Sequence, residues 1–348
     1  MKKPSFRGVK RWAIIFSIML LASLLLAACG EPDHSILAPA GPVADRERSL
    51  FFFILGVATF IFVVVEAVLI YFIFRYRERP NSPAAMQIHG NNRVEIIWTV
   101  APSIFLFAVL AYTVYTMVTL YPTNPSLEVR VVGHQWWWEF DYPNQHIVTA
   151  DTLHIPAGAV VRADLFSDNV IHSFWIPAIT GKTDVVPGHN NVMVFEADSN
   201  QAGKTFFGAC AEYCGTQHAH MRFDVVVDPP DVFNTWISTQ QQAAQAPTSG
   251  SLAAKGKQIF AQQCTGCHGI VGVNLSSYDD PKTKNLVGPN LTHFGSRGLI
   301  AGAVLTNTPD NLAKWLSDPQ SVKPGNDMMV SLNQDQINAL VAYLESLK

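Results

Sequence analysis

Two short stretches carry the side chains that could do chemistry. Cys210-Ala-Glu-Tyr-Cys214-Gly-Thr-Gln-His218-Ala-His-Met221 puts two thiols, an imidazole and a thioether within one loop. Thiolate and thioether are soft ligands that select copper and suit hard ions poorly. His172, in Asp168-Asn-Val-Ile-His172-Ser-Phe-Trp, offers a further imidazole from outside the loop. Two cysteines matter, because each thiolate can bridge two copper ions, and a shared unpaired electron spreads the geometric change on redox over both metals. A single blue-copper ion needs only one cysteine. A Cys2His2 zinc site competes, but Met221 is a poor zinc ligand, and His220 is read as a bystander. Cys264-Thr-Gly-Cys267-His268 has the C-x-x-C-H spacing that attaches haem through two thioethers with the histidine as axial ligand. Copper beside covalent haem means electron transfer.

The elements that must position these groups begin with a membrane hairpin. The 348 residues are 49% hydrophobic and only 15% charged, below the roughly 25% of an ordinary soluble domain. A net charge of −3 gives no basic face for nucleic acid. Leu50 to Phe74 and Ile96 to Leu120 are each apolar and long enough to span a bilayer. Arg75, Arg77, Arg79 and Arg93 flank the connection between them, which the positive-inside rule makes cytoplasmic. Everything after about Tyr121 is then expected on the outer face. Lys2, Lys3, Arg7, Lys10 and Arg11 precede an apolar run from Trp12 to Leu26, the layout of a secretory signal. It closes on Leu26-Ala27-Ala28-Cys29, which resembles a bacterial lipoprotein box with Cys29 as the lipidated residue.

Between Ser126 and Asp228 the chain alternates apolar and polar residues in short segments, as in Leu127-Glu-Val-Arg-Val131, with breaks at Pro143-Asn144, Pro156-Ala-Gly158 and Pro187-Gly188. That pattern predicts an antiparallel sandwich or barrel. A helix over Asp231 to Gln245 and a break at Pro247-Thr-Ser-Gly-Ser251 follow. The last hundred residues read as helical. A helix over Lys255 to Gln263 precedes the haem motif, and Asn333 with Gln336 is a capping pair for a helix that buries Ile337, Leu340, Val341, Leu344 and Leu347.

The copper loop, with Gly133-His-Gln-Trp-Trp-Trp-Glu-Phe140, Lys182-Thr-Asp-Val-Val-Pro-Gly188 and Val94-Glu-Ile-Ile-Trp-Thr99, resembles subunit II of haem–copper cytochrome c oxidases from the first span to about Asp228. The resemblance implies a two-helix transmembrane hairpin and an all-β, cupredoxin-like Greek-key domain carrying dinuclear CuA. By motif position the ligands are His172, Cys210, Cys214, His218 and Met221, with Glu212 coordinating through its carbonyl. It also implies a magnesium ion shared with subunit I through the Glu212 carboxylate, a proton-pathway entrance at Glu95 and electron acceptance through Trp136. The competing reading of the three tryptophans is as core-filling strand residues. His189 departs from the pattern, in which an arginine commonly follows Pro-Gly.

From about Ser251 onward, Cys264, Cys267, His268, Gly288-Pro-Asn-Leu291 and a late methionine resemble an all-α class I cytochrome c. Its pattern favours Met328 as distal haem ligand, with Met329 competing. The whole chain therefore resembles a caa3-type subunit II. The expected divisions are a lipoprotein-type signal peptide at 1–28, an N-terminal segment at 29–48, the hairpin at 49–121, the cupredoxin CuA domain at 122–231, a linker at 232–250 and the cytochrome c domain at 251–348.

The expected function is to pass electrons from an external donor, a cytochrome c or other small redox protein, through haem c and CuA to subunit I. Oxygen is reduced there, not in this chain. The expected setting is the bacterial cytoplasmic membrane, in complex with subunit I and other oxidase subunits, with both metal domains on the periplasmic or extracellular face. A CuA subunit of a nitric oxide reductase, or a non-catalytic membrane-anchored copper and haem relay, are the alternatives.

Overall fold

The computed structural model describes residues 16–19, 21, 23, 35–77 and 90–348; Cys29 and its lipidation lie outside them. Two long helices come first, α1 (Pro42–Arg75) and α2 (Asn92–Thr119), with mean hydropathies of 2.8 and 2.1. Asn91 caps α2 by accepting from the amides of Arg93 and Val94. Ring contacts pair Phe53 with Tyr112 and Phe60 with Phe105, so the helices run antiparallel. Their outer faces present Phe62, Val65, Ile97 and Phe107 to the surroundings, as a bilayer or a membrane partner requires.

α1 starts before its apolar run because its first turn is part of the β domain. Val43 and Ala44 are buried, the Ala44 amide donates to Ile179 O, and the Asp198 amide donates to Ala40 O. Arg46 donates to Thr119 O and, at 2.7 Å, to Leu120 O. Both hairpin ends thus meet on the β-domain side.

Among the described residues, ten strands form two five-stranded sheets, ordered β3-β2-β1-β5-β8 and β4-β10-β9-β6-β7. The first contains β1 (Leu127–His134), β2 (Trp137–Tyr142), β3 (Ile147–Ala150), β5 (Val160–Ser167) and β8 (Asn191–Glu196). The second contains β4 (Thr152–Pro156), β6 (His172–Trp175), β7 (Lys182–Val185), β9 (Lys204–Cys210) and β10 (Arg222–Asp228). Trp138, Phe140, Phe174 and Phe223 are each fully buried and fill the space between the sheets.

The expected antiparallel sandwich needs one correction. β1–β5 and β4–β10 pair in parallel. Side-chain alternation has a period of two in either orientation, so the pattern could not separate them.

After α3 (Pro230–Gln240), α4 (Leu252–Gln263) and α7 (Gln334–Leu344) cross to build the second core. The crossing is tight: a Cβ on Gly256 would lie 2.0 Å from Ala339 O and 2.6 Å from Tyr343 Cβ. Asn333 and Gln336 form the expected reciprocal capping box. The α7 face is rotated slightly from expectation, with Tyr343 buried and Val341 half-buried. β11 (Leu299–Ile300), β12 (Leu305–Thr306), α5 (Pro309–Ser317) and α6 (Pro319–Val322) complete this domain.

Candidate copper and haem centres

β6 pairs with β9 through Phe174 and Cys210, which carries His172 from the far end of β6 to the start of the cysteine loop. His172 Nδ1 lies 3.8 Å from Cys210 Sγ, and Cys210 Sγ lies 3.8 Å from Cys214 Sγ. Cys214 Sγ is 3.7 Å from both His218 Nδ1 and Met221 Sδ. Glu212 O sits 3.2 Å from Cys210 Sγ. Each sulfur therefore has an imidazole on its flank, with a carbonyl added beside Cys210 and a thioether beside Cys214.

The cluster is dry, since His172 and Met221 are fully buried and Cys210 and Cys214 nearly so. His172 Nε2 meets Asn169 Oδ1 at 3.2 Å, and donating there leaves the Nδ1 lone pair toward the sulfurs. The thiols share a proton: the hydrogen bond with Cys214 holds Cys210 well below the usual thiol range, and the same bond to Cys210 pushes Cys214 up. Metal binding replaces the shared proton, because thiolate is the ligating form. The donor set fits copper in its softness and its sulfur pair. His220 is exposed and engages Gln217 Oε1, away from the sulfurs.

The three tryptophans divide their work. Trp138 is core, edge-on to His172 and Phe174, and Trp137 stacks on His134 at 4.2 Å. Trp136 is half-buried, and its Nε1 donates to Cys214 O at 2.9 Å beside a Gln135 bond to the same oxygen at 2.7 Å. Glu212 has an exposed carboxylate that accepts from the Tyr213 amide. Glu95 lies in the first turn of the 28-residue α2, roughly 40 Å of helix from the end that meets the β domain, and the fold does not bring it to the copper ligands.

The second site surrounds a cavity of about 240 Å³ lined by Cys264, Cys267, His268, Met328 and Met329 with Trp136 and Trp137. His268 Nδ1 donates to Pro289 O at 3.0 Å, leaving Nε2 for a metal bond. Burial depresses the His268 pKa and so keeps the neutral, ligating imidazole. Met328 packs against the cytochrome core, whereas Met329 is 79% exposed and its sulfur meets Gln320. Two thiols, a fixed imidazole and a thioether around an apolar cavity fit a covalently attached haem.

The chain matches three family profiles: Cytochrome C oxidase subunit II, transmembrane domain (residues 35–115); Cytochrome C oxidase subunit II, periplasmic domain (147–228); and Cytochrome c (253–348). It is 38% identical to cytochrome c oxidase subunit 2 of Bacillus sp. (strain PS3), over 98% of this chain and 99% of that one. This chain belongs to the cytochrome c oxidase subunit II family. Cytochrome c oxidase subunit 2 of Bacillus subtilis (strain 168) is 34% identical, again over 98% and 99% of the two chains. Among solved structures, the periplasmic domain of subunit II of cytochrome oxidase (CoxB) of Bradyrhizobium japonicum matches at 27% identity, covering 34% of this chain and 95% of that one, with a TM-score of 0.32.

Membership in this subunit II family, with the fused cytochrome c domain, implies a CuA centre and a haem c. It also implies association with oxidase subunit I in a membrane complex. The chain serves the oxidase as its electron-accepting subunit.

Residues that sequence reasoning missed lie between the two domains. Lys323 and Gln217 make contacts across the seam. Nothing local in the sequence signals them, since Lys323 and Trp136 are 187 positions apart.

Proposed function

We propose that His172, Cys210, Cys214, His218 and Met221, with the Glu212 carbonyl, hold the CuA pair, and that Cys264, Cys267, His268 and Met328 hold haem c. The observation that carries this is the central sulfur pair at 3.8 Å with an imidazole flanking each sulfur. When bound, the copper pair and the haem iron each take up and release one electron at a time. Trp136 supports a path between them, because its indole bonds the Cys214 carbonyl while the same residue walls the haem cavity. Burial of His172, Cys210, Cys214 and Met221 excludes water from the copper loop, which lowers the reorganisation that accompanies transfer there.

The finer assignments follow the same frame. The exposed Glu212 carboxylate is free to reach a magnesium ion shared with subunit I, and Glu95 marks the entrance of a proton pathway. The arginines at 75, 77, 79 and 93 place the helix connection on the cytoplasmic side and both metal domains on the outer face, where a small redox protein delivers electrons. Cys29 is the lipidated residue, and the domain divisions are those expected from the sequence.

Electron paramagnetic resonance of the copper-loaded chain tests the ligand set. Copper hyperfine structure from one electron shared equally between two nuclei supports it, and Cys210→Ser should abolish that pattern. A spectrum of a single isolated copper in the wild-type chain contradicts it.

A further inference from the structure

Lys323 follows α6 in the cytochrome domain and is 3% exposed. Its ammonium donates to Trp136 O at 2.6 Å, Ala301 O at 3.1 Å and His220 O at 3.4 Å. Two of these carbonyls belong to the cupredoxin domain, and His220 adjoins the ligand Met221. From the other side the buried Gln217 donates to Pro324 O at 2.7 Å. Gly325 has φ +85°, and a Cβ there would sit 3.1 Å from Thr216 Oγ1. The loop before Met328 is thus wedged against the loop of the copper ligands, with Trp136 between them.

A buried ammonium is costly unless each proton has a partner. Here two of the three carbonyls, Trp136 O and His220 O, are present only when both domains are in place: apart, they, Lys323 and Gln217 return to water. Such a seam contributes little net affinity but selects one orientation over its neighbours. Ordinary inter-domain contacts leave relative motion as the default, and a buried polar lock removes it.

We propose that Lys323 is a positioning residue that fixes the cytochrome domain on the cupredoxin domain in one pose, with Trp136 as the shared wall between haem cavity and copper loop. The internal donor and acceptor are held rigidly, not as a tethered pair that must dock for each transfer. The functional meaning rests on the metal assignments above; the seam itself does not.

The test is amide hydrogen exchange on the full chain in lipid nanodiscs, with haem and copper loaded. Hydrogen bonds to a charged group in a buried site predict that Lys323→Met raises exchange about 10- to 100-fold at 135–137, 215–217, 323, 325 and 326. Lys323→Gln, which keeps a neutral donor, should fall between and serves if the Met variant loses haem. Arg162→Gln, which removes the Arg162–Asp164 pair within the cupredoxin domain, should leave the seam unchanged.

The second readout is the rate of electron equilibration between haem and copper after photochemical reduction, as the haem loses one electron and the copper centre gains one. It should slow in Lys323→Met while both optical spectra and metal contents stay normal. Unchanged seam exchange overturns the proposal, as does exchange raised uniformly through the cytochrome domain or an unaltered transfer rate with an opened seam. Failure of the wild-type chain to bind copper or haem would instead sink the metal assignments, and the exchange result would still judge the seam.

Discussion

Gly133→Ala should disable the copper site without replacing a ligand. Gly133 lies on β1, paired to Trp138 of β2 and Ser167 of β5, so its backbone is held on both sides. A Cβ added there falls 2.8 Å from His172 Cδ2 and 3.1 Å from Cγ, where carbon atoms prefer about 3.5–4.0 Å. The imidazole must move by roughly the difference, and Trp138, edge-on at 5.8 Å between ring centres, limits where it can go. Metal and catalytic constellations tolerate displacements of only about 0.5 Å.

Overpacking of this kind costs about 1–3 kcal/mol, which lowers the melting point by ~4–8 °C per kcal/mol in a domain of about 100 residues. Copper content by elemental analysis, the copper absorption bands and thermal unfolding by circular dichroism give the readouts. The expected outcome is a folded domain with a lowered melting point and a copper spectrum that is changed or lost. An alanine variant with full copper, an unaltered spectrum and an unaltered melting point would refute the reasoning.

The haem ligand and the acid behaviour give two further predictions. Met328→Ala should remove the His/Met optical signature of the haem, whereas Met329→Ala should leave it; the opposite result reverses the assignment. Asp151 is buried, and burial raises its pKa from the ordinary 3.8 to about 6 despite the Trp138 amide that bonds its carboxylate. The folded state therefore holds a proton that the unfolded chain has released, so stability falls as pH rises from about 4 to about 6, by up to ~3 kcal/mol, and is flat above that range. Denaturant titrations across these pH values should show that slope, and Asp151→Asn should lack it. An equal slope in both would refute the assignment.

The two metal motifs were legible because their ligands are local: the loop from Cys210 to Met221 and the run from Cys264 to His268 hold most donors within a few residues of one another. His172 was legible as an imidazole at a strand end, but its approach to Cys210 depends on the pairing of β6 with β9, which no local pattern encodes. The same limit explains the parallel pairings of β1 with β5 and β4 with β10. On α7, Tyr343 replaces Val341 in the core because the helix packs against more than one neighbour, and one-face periodicity describes only the first. The Lys323 contacts lay beyond sequence reasoning altogether. A lysine reads as a solvated charge, and only the docked domains show three carbonyls waiting for it.

The most direct test of the central claim is oxygen uptake by the membrane complex purified through this chain, with a reduced donor supplied, before and after Cys214→Ser. Uptake is expected in the wild-type complex and is lost in the variant, with the haem still reduced by the donor. Uptake that persists in the variant, with copper absent from the loop, would contradict the copper centre as the route by which electrons reach subunit I.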